Sequence, residues 1–416
     1  MSESSHHNQI CIVIGASHAG VNFAFSLRRE GWLGKIVLLD TDPCLPYHRP
    51  PLSKAFLTED DDIESYALRS KESYEKEKIE LRLGVKVTSI QRNARQVKLD
   101  DGSVIEYDRL VIATGVRAFI PPIDGLQSAL NTFVIRTADD AMRIIQSFNL
   151  LKNKNVVIIG GGYIGLEIAA SLNKLGGSIT ILEREERILS RVTSPYLSSF
   201  FQQLHSEHGV NIHCNQEVKS VLKTDNYNLI TCSDGRQYRA DLIIVGAGVI
   251  VNTELAKDAG LEIENGIRVN TYSQTSDENI YAIGDCTYHY NQHYKRNIRL
   301  ECVQNAVDQA KVAAASISGK PIEYNSIPWF WSDQYDIKLQ MVGLSQGYTE
   351  FVVREENEKC FSIWYFYEDE LLAVDAINYP KAYVLGMKFI KNTALIDKVK
   401  LASPETPFKP AELLLS

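Results

Sequence analysis

Apolar residues along the chain fall into short runs that repeat one structural unit twice. The runs at 10–14 and 156–159 each precede a glycine-rich turn and a stretch with the hydrophobic spacing of a helix. A further apolar run follows each helix, so residues 10–40 and 156–183 both have the pattern of strand, helix and strand. Strands that alternate with helices are typical of an α/β fold with mostly parallel sheets. The repeat therefore predicts two Rossmann-like domains in one chain.

The rest of the chain adds strands to these units and then changes character. We expect antiparallel strands at 85–90 and 96–99, buried strands at 110–115, 242–248 and 280–285, and a helix at 299–318. Past Ile327, aromatic residues cluster at 329–331, and strand-like pieces recur at 338–342, 349–353, 361–367 and 371–377. This change predicts a third domain, of the α+β class, with an antiparallel sheet.

Composition and charge narrow the class of protein. A chain of 416 residues is long enough for two or three domains, and its 44% hydrophobic content is ordinary for a soluble globular protein. The net charge is −8, and no dense basic stretch indicates a nucleic-acid surface. No apolar run approaches the roughly 18 residues that cross a bilayer, and residues 1–9 lack the features of a signal peptide. We expect a cytoplasmic protein with neither a membrane span nor a nucleic-acid partner.

The cysteine pattern excludes one route for electrons. The seven cysteines never form a CxxC pair, and they are Cys11, Cys44, Cys214, Cys232, Cys286, Cys302 and Cys360. Scattered cysteines indicate a reducing compartment and argue against a disulfide scaffold or a zinc site. They also exclude the redox cysteine pair that disulfide reductases use.

Two glycine-rich turns carry the first chemical signal. The first contains Gly15, Ser17, Ala19 and Gly20, and the second contains Gly160, Gly162, Tyr163, Ile164 and Gly165. Glycines in such turns allow the backbone to approach a pyrophosphate closely, and the helix N-terminus stabilises its charge. Ser17 replaces the middle glycine of the first turn, and its small side chain preserves the approach. The two turns predict two dinucleotides, one of which passes electrons to the other.

An acidic residue follows the second strand of each unit, where a carboxylate can bind a ribose. In the second unit this residue is Glu183, which would accept from the 2′-hydroxyl of NADH and repel the 2′-phosphate of NADPH. Arg184 and Arg187 keep the alternative open, because an arginine can hold that phosphate; we favour NADH. In the first unit both Asp40 and Asp42 are candidates, and Asp42 also fits a turn residue.

Six segments, taken together, carry a family resemblance. They are Pro46-Tyr-His-Arg-Pro-Pro-Leu-Ser-Lys54, Ala113-Thr-Gly115, 160–167, Gly284-Asp285, Val303-Gln-Asn-Ala306 and Pro328-Trp-Phe-Trp-Ser-Asp-Gln-Tyr-Asp336. Over nearly its whole length the chain resembles the FAD-dependent ferredoxin reductases, which include the reductase components of Rieske-type aromatic-ring dioxygenases. The first and last segments are the ones specific to that family.

The resemblance implies a glutathione-reductase-like architecture with a discontinuous FAD-binding domain. The implied ranges are 1–120 and 246–326 for the FAD-binding domain, 121–245 for the NADH-binding domain and 327–416 for the C-terminal α+β domain. By resemblance, Gly15, Gly20, Arg49, Lys54 and Asp285 hold FAD, and Gly162, Gly165 and Glu183 hold NADH, with Tyr163 and Ile164 close to the nicotinamide. The other cofactor-binding residues that it implies are Ser17, Ala19, Asp40, Asp42, Ala113, Thr114, Gly115, Gly160, Arg184, Arg191, Gly248, Gly284, Val303 and Trp331.

Lys54, Glu167 and Trp331 are the residues expected to serve the reaction itself. Glu167 lies on the first turns of the helix after the second glycine turn, so we expect it near the region that the nicotinamide and the flavin share. A buried Lys54–Glu167 pair would stay charged by mutual attraction and tune the flavin, although a purely structural ion pair is the alternative. Trp331 is expected either to stack near the flavin and gate the exit of electrons, or to belong to the core, as we expect for Trp329.

The predicted function is that of an NADH:ferredoxin oxidoreductase. It takes a hydride from NADH onto FAD and passes single electrons to an acidic [2Fe-2S] ferredoxin that feeds an oxygenase. The alternatives are a rubredoxin reductase, an NADH oxidase or peroxidase that uses Cys44, and a flavoprotein like apoptosis-inducing factor that acts by partner binding. An acidic ferredoxin would need a local basic patch, for which Lys295, Arg296 and Arg299 are candidates, although they also fit a solvated loop. The oligomeric state stays open.

Overall fold

The computed structural model describes residues 8–415. Residues 1–7, on which the signal-peptide prediction largely depends, and residue 416 lie outside the described residues. The chain folds into two compact units. The first combines the chain up to His48 with Asp61–Arg117 and Ile250–Pro328, and the second combines Arg49–Asp60, Ala118–Val249 and the chain from Trp329 onward. The three-domain division is finer than these two units and stays a prediction.

The elements alternate between strand and helix through most of the chain. Up to residue 160 they are β1 (Ile10–Ile14), α1 (His18–Arg29), β2 (Lys35–Leu39), α2 (Ala55–Thr58), α3 (Lys71–Lys76), β3 (Ile79–Arg82), β4 (Val87–Gln91), β5 (Gln96–Leu99), β6 (Val104–Glu106), β7 (Arg109–Ile112), β8 (Val116–Ala118), β9 (Thr132–Phe133), α4 (Ala138–Leu150) and β10 (Asn155–Ile159).

The second half contains the repeat of the opening unit and the C-terminal elements. These are α5 (Tyr163–Lys174), β11 (Ser178–Leu182), α6 (Pro195–Glu207), β12 (Asn211–His213), β13 (Val218–Lys223), β14 (Asn228–Cys232), β15 (Gln237–Ala240), β16 (Leu242–Val245), β17 (Val249–Val251), α7 (Glu254–Asp258), β18 (Ile267–Val269), β19 (Ile280–Ala282), β20 (Thr287–Asn291), β21 (Arg296–Ile298), α8 (Val303–Ile317), β22 (Trp329–Gln334), β23 (Ile337–Gly343), β24 (Glu350–Asn357), β25 (Cys360–Tyr367), β26 (Glu370–Ile377), α9 (Pro380–Lys391), α10 (Lys398–Ala402) and α11 (Pro410–Leu413).

A five-stranded parallel sheet of order β19-β7-β1-β2-β3 forms the centre of the first unit. In the middle of β1, Ile12 is paired with Val37 on one side and Leu110 on the other. These strands are continuous apolar runs because other elements cover both faces of the sheet. Helices α1 and α8 pack on one face, and the antiparallel sheet β4-β5-β6 packs on the other. The antiparallel strands predicted at 85–90 and 96–99 are confirmed as β4 and β5.

The second unit contains a parallel sheet of order β12-β11-β10-β16-β9. Strand β10 lies between β11 and β16, as β1 lies between β2 and β7 in the first unit. This common order confirms the repeat that the hydrophobic pattern predicted. Among residues 8–415, no helix combines the length and the apolar character that a membrane span requires.

The same unit also contains an antiparallel sheet of order β22-β23-β26-β25-β24. The aromatic cluster at 329–331 is the beginning of edge strand β22, which the sequence pattern did not predict as a strand. Ser332 and Gln334 of this strand are buried, whereas Trp329, Phe330 and Trp331 are only partly buried. The prediction that Trp329 lies in the core is therefore wrong, because the polar face of β22 points inward.

A buried arginine fixes the end of the chain to this sheet. Arg354 of β24 is 2% exposed, and its guanidinium carries an ion pair to Glu356 at 2.7 Å and packs on the Phe408 ring at 4.8 Å. It also donates hydrogen bonds of 2.9–3.4 Å to the carbonyls of Leu401, Ser403, Pro404 and Thr406. The planar fork of five N–H donors can satisfy this many acceptors, which a lysine cannot.

We expect Arg354→Leu to lower the free energy of unfolding by about 3 kcal/mol, because four carbonyls lose their common donor and the ion pair with Glu356 is broken. Urea unfolding measures the loss. The control is Arg268→Leu, since Arg268 is exposed and its pairs with Glu262 and Glu264 span 3.5 and 3.3 Å. Such surface pairs contribute less than about 1 kcal/mol. Equal losses in the two variants would contradict the role given to Arg354.

Candidate functional site

The first glycine-rich turn has no space for side chains at its two outer glycines. Gly15 has φ +107°, and a Cβ there would lie 2.3 Å from the Ala113 carbonyl oxygen. A Cβ on Gly20 would lie 1.9 Å from the Gly15 carbonyl oxygen. Ser17 is the N-cap of α1, whose first turn contains no acidic residue. The N-terminus of α1 therefore offers N–H groups and a positive dipole end to an anion.

The second glycine-rich turn repeats this geometry. Gly160 has φ +113°, and a Cβ there would lie 2.4 Å from the Gly246 carbonyl oxygen, while one on Gly165 would lie 2.3 Å from that of Gly160. Gly162 is the N-cap of α5, in the position that Ser17 occupies in α1. A Cβ on Gly162 would meet no atom within 4 Å. The space in front of Gly162 fits a group brought by a ligand, such as a pyrophosphate.

The acids after the second strands make the same two hydrogen bonds in both units. Asp40 accepts from the backbone N–H of Ala16 at 2.5 Å and of Asp42 at 2.9 Å. Glu183 accepts from Gly161 at 2.6 Å and from Glu185 at 2.8 Å. In each case the donors are the residue after the first glycine and the residue two positions beyond the acid.

This repeat distinguishes between the two aspartates that the sequence left open. Asp42 accepts from the Tyr47 hydroxyl at 2.6 Å and from the Cys44 N–H at 3.0 Å, so it organises the following turn. Asp40, which stands where Glu183 stands in the second unit, is the better candidate for the ribose of the first dinucleotide.

The arginines near Glu183 differ in whether their guanidinium groups are bound by other residues of the protein. Arg187 donates to the Ser198 hydroxyl at 2.6 Å and to the Ser190 carbonyl at 2.8 Å, so its guanidinium is used within the protein. Arg184 is exposed and pairs with Glu185 at 2.9 Å. Arg191 is exposed as well. The carboxylate of Glu183 thus lies closest to the glycine turn, and Arg187 is not available to a 2′-phosphate.

A buried carboxylate fixes the end of the segment that carries these arginines. Asp375 of β26 is 1% exposed and accepts from the hydroxyls of Thr193 and Tyr365, both at 2.7 Å. Tyr365 also contacts the hydroxyl of Ser194, the N-cap of α6, at 3.0 Å. Burial raises the pKa of Asp375 to about 6. The antiparallel sheet therefore holds the end of the segment 184–194 through Asp375, and burial disfavours the ionisation of this carboxyl group.

Lys54 and Glu167 form the ion pair that the sequence analysis expected. The Lys54 Nζ lies 2.9 Å from Glu167 Oε1, and the side chains are 19% and 2% exposed. Glu167 also accepts from the hydroxyl of Ser332 at Oε1 and of Ser53 at Oε2, both at 2.6 Å. The Ser171 hydroxyl donates to the Ser53 carbonyl at 2.9 Å, which fixes Ser53 against α5. A carboxylate this buried requires such donors, since desolvation alone disfavours its charge.

Aromatic side chains surround the start of α5. Tyr163 donates to the sulfur of Met341 at 3.0 Å, and its ring lies 5.0 Å from that of Phe330. Desolvation, with the charges of Asp375 and Glu167, raises the pKa of Tyr163 well above its usual value. Trp331 is half-buried, with its ring 5.6 Å from Trp329 and 6.4 Å from Phe330. Ile164 is 46% exposed.

The other predicted residues of the first unit lie at the carboxyl ends of its strands. Thr114 and Asn252 exchange two hydrogen bonds of 2.8 Å, and Gly115 has φ +60°. Gly284 has φ +80°, and its N–H donates to Gln309 of α8 at 2.7 Å. A Cβ on Gly284 would lie 3.0 Å from the Cβ of Ala19, so both residues must be small. Asp285 follows in a short 3₁₀ turn, and Val303 begins α8, whose first turn has no acidic residue.

Two further predicted residues of the second unit, Arg49 and Gly248, have backbone partners within that unit. Arg49 donates to the carbonyl of Arg136. Gly248 has φ +112° and accepts from the N–H of Phe119 at 2.9 Å. Their assignment to cofactor binding stays a prediction.

Sequence reasoning missed Ser53 and Ser332, which complete the environment of Glu167. Ser53 immediately precedes Lys54, and Ser332 immediately follows Trp331. The available signal was the alternation in β22, where Ser332 and Gln334 share one face of a strand in an otherwise apolar region. Two polar residues on one face of a strand beside an aromatic cluster indicate a buried polar partner.

Comparisons with known proteins agree with this geometry. Residues 10–312 match the pyridine nucleotide-disulphide oxidoreductase family, and residues 329–412 match the reductase C-terminal domain. The chain is 41% identical to putidaredoxin reductase CamA of Pseudomonas putida, over 97% of this chain and 96% of that protein. It is 36% identical to the ferredoxin–NAD(+) reductase component of the anthranilate 1,2-dioxygenase system of Burkholderia cepacia, over 96% and 98%. The crystal structure of the covalent putidaredoxin reductase–putidaredoxin complex has a TM-score of 0.92 at 40% identity, over 96% of this chain and 97% of that chain.

We expect Gly162→Val to raise the KM for NADH about tenfold, because the added side chain occupies the space left for the pyrophosphate. Gly162→Ser should keep a KM near that of the wild type, since Ser17 occupies the equivalent position of the first turn. Gly165→Ala should instead lower stability by about 2 kcal/mol, because its Cβ meets backbone. Steady-state kinetics and thermal melting separate the two effects. An unchanged KM in Gly162→Val would place the pyrophosphate elsewhere.

We also expect Asp375 to make the protein less stable as the pH rises from 4 to 7. The folded protein holds the Asp375 proton up to about pH 6, whereas the unfolded chain releases it near pH 3.8. The free energy of unfolding therefore falls as the pH rises between these two values, and the contribution of Asp375 is constant above them. The loss is about 3 kcal/mol. Urea unfolding of Asp375→Asn should lack this component of the pH dependence. Parallel pH curves for the variant and the wild type would contradict the raised pKa of this buried carboxyl.

Proposed function

The chain belongs to the pyridine nucleotide-disulphide oxidoreductase family, with a reductase C-terminal domain, and we propose that it is an NADH:ferredoxin oxidoreductase. It takes a hydride from NADH onto FAD and passes single electrons to a [2Fe-2S] ferredoxin that feeds an oxygenase. The observation that carries the proposal is the buried Lys54–Glu167 pair in a chain with two dinucleotide turns, where the cysteines of residues 8–415 are all free thiols. Relatives named as reductases of ferredoxins match over nearly the whole chain.

The chain contributes two similar cradles for the two dinucleotides. The glycine turns bring the helix N-termini of α1 and α5 to a pyrophosphate, and Asp40 and Glu183 accept from a ribose hydroxyl of FAD and NADH respectively. We favour NADH over NADPH because Glu183 lies at the turn and Arg187 is bonded to Ser198 and Ser190. In this proposal the FAD-binding domain comprises 1–120 and 246–326, the NADH-binding domain 121–245 and the C-terminal domain 327–416.

The residues present fit FAD as well as NADH, since the first glycine turn and the neighbouring strand end at Gly284 consist of small residues, as close approach of a dinucleotide requires. Gly15, Ala19 and Gly284 meet one another or neighbouring backbone so closely that larger residues have no space. When bound, FAD supplies the conversion of a two-electron donor into one-electron transfers. The part of the protein is to orient both cofactors and to keep water from the site.

We place Lys54 beside the flavin, with Glu167 fixing its ammonium group. Glu167 holds the cation through a 2.9 Å ion pair, and the hydroxyls of Ser53 and Ser332 donate to its carboxylate. Trp331 is half-buried on an edge strand, which suits a residue that contacts a cofactor on one side and an electron acceptor on the other. Tyr163 and Ile164, at the start of α5, are assigned to the nicotinamide.

For the ferredoxin, the proposed basic patch consists of Lys295 and Arg296. Lys295 is exposed with φ +49° at the turn between β20 and β21, and the Arg296 guanidinium lies 5.9 Å from the Tyr294 ring centroid. Arg299 is paired with Glu301, so it contributes little net charge. Localised positive charge in an otherwise acidic protein favours association with an acidic carrier. The scattered cysteines support the cytoplasm as the location.

The competing single-cysteine mechanism has little structural support. The backbone N–H of Cys44 donates to Asp42 at 3.0 Å, which makes Cys44 part of the turn that Asp42 organises. A thiol is activated as a thiolate by neighbouring positive charge, whereas a nearby carboxylate disfavours that form. A Cys44→Ser variant should therefore retain the reduction of cytochrome c through ferredoxin.

The test is anaerobic stopped-flow absorbance of the purified protein mixed first with NADH and then with putidaredoxin or a Rieske-system ferredoxin. We expect rapid bleaching of the flavin by NADH, much slower bleaching by NADPH, and reoxidation by a ferredoxin. Cys44→Ser serves as the control and should behave as the wild type does. Bleaching followed by reoxidation only with oxygen or rubredoxin would contradict the ferredoxin assignment and favour the oxidase or rubredoxin alternative.

A further inference from the structure

A line of buried polar groups leads away from Glu167 through the antiparallel sheet to helix α6. Ser332 lies 2.6 Å from Glu167, Gln334 lies 3.2 Å from Ser332, and His205 lies 2.8 Å from Gln334. The hydroxyl of Tyr335 then lies 3.3 Å from the other ring nitrogen of His205. Glu167, Ser332, Gln334 and His205 are each at most 2% exposed. Buried polar groups in such a connected series act together rather than as separate pairs.

The chemistry of each group fixes the direction of every hydrogen bond in this series. The carboxylate of Glu167 only accepts, so the Ser332 hydroxyl donates to it, and the Gln334 amide N–H donates to Ser332. The remaining Gln334 oxygen only accepts, so His205 carries its proton on Nε2. Burial lowers the pKa of His205 to about 4, so the ring is neutral near pH 7 and its Nδ1 accepts from Tyr335. All four donors therefore point toward Glu167.

We propose that Ser332, Gln334 and His205 are positioning residues, whose unidirectional series of hydrogen bonds orients the Glu167 carboxylate and disperses the negative charge that its Oε1 directs at Lys54. The inference rests on the proposed function only in assigning the Lys54–Glu167 pair to the flavin. It gives the polar residues of β22 a role and connects a histidine of α6 to the site.

The series acts on the same oxygen that binds the lysine. Glu167 Oε1 accepts both Lys54 at 2.9 Å and Ser332 at 2.6 Å. A donor that shares this oxygen disperses its negative charge, so that less of it is directed at Lys54. Each donor in the series polarises the next one, which strengthens the final bond to Glu167. Tyr163, whose pKa the charge of Glu167 helps to raise, stays neutral beside this pair.

The outer end of the series is held in an uncommon backbone conformation. Tyr335 has φ +55°, which costs a residue other than glycine about 1 kcal/mol or more. Its ring is stacked on His208 with centroids 3.7 Å apart, and it also contacts the His205 ring edge-on at 5.1 Å. These contacts hold the hydroxyl at the acceptor nitrogen of His205, so the first donor of the series is fixed.

The test is the midpoint potential of the bound flavin, determined by anaerobic dye-coupled titration at pH 8. Ser332→Ala and Gln334→Leu should lower the potential, because Glu167 then neutralises Lys54 more completely and the site is less favourable to reduced flavin. Tyr335→Phe should lower it less, since it removes only the outermost donor. Ser332→Thr, which keeps the hydroxyl, should restore the wild-type value. In the Glu167→Gln background the same substitutions should have no further effect.

The matched control is Ser362→Ala, which removes an equally buried serine of the same sheet. Ser362 bonds to the Trp364 indole at 2.9 Å and not to Glu167, so this variant should keep the wild-type potential even where it lowers the melting temperature. An unchanged or raised potential in Ser332→Ala, or a shift that persists in the Glu167→Gln background, would overturn the inference. The potential is measured without a ferredoxin. The test therefore stays valid even if the protein is found to reduce a different electron acceptor.

Discussion

The cost of burying the Glu167 carboxylate determines the arrangement of the second unit. A carboxylate at 2% exposure is tolerated only when opposite charge and hydrogen-bond donors replace water. Lys54 and Ser53 come from the short segment after β2, and Ser332 comes from the antiparallel sheet. Distant parts of the chain thus converge on α5 because one charge there needs all of them.

The same requirement explains why β22 has its polar face inward. Strands that cover a core normally bury apolar residues and expose polar ones. In β22 the demand for donors at Glu167 places Ser332 and Gln334 on the inward face, and the partly exposed position of Trp329 and Trp331 on the other face is the consequence. The sheet also supplies Asp375 to the segment before α6 and holds the end of the chain through Arg354. Its role is therefore to position other segments as much as to form a core of its own.

Much of the fold and part of the site could be predicted from the sequence, because their signals are local. Apolar runs before glycine turns predict parallel strands, and the acid at 183 lies within one unit with its turn. The serine partners of Glu167 were not predicted. Ser53 lies 114 residues away and Ser332 lies 165 residues away, and neither has the charge that identified Lys54 as a partner. The alternation in β22 indicates that Ser332 has a buried polar partner, but it does not identify that partner as Glu167. The choice between Asp40 and Asp42 as the ribose ligand could not be made from the sequence either, because only the hydrogen bonds of the folded turn distinguish the two residues.

The repeated geometry of Asp40 and Glu183 has a consequence for how the two cofactors are sorted. Both acids accept from the turn and from the residue two positions on, so in the proposed function the two adenosine halves would meet nearly equivalent recognition. Discrimination between a flavin and a nicotinamide nucleotide then depends on the opposite ends of the molecules. A shared fragment such as ADP would be a common competitor for both cradles, and selectivity would be a property of the distal halves alone.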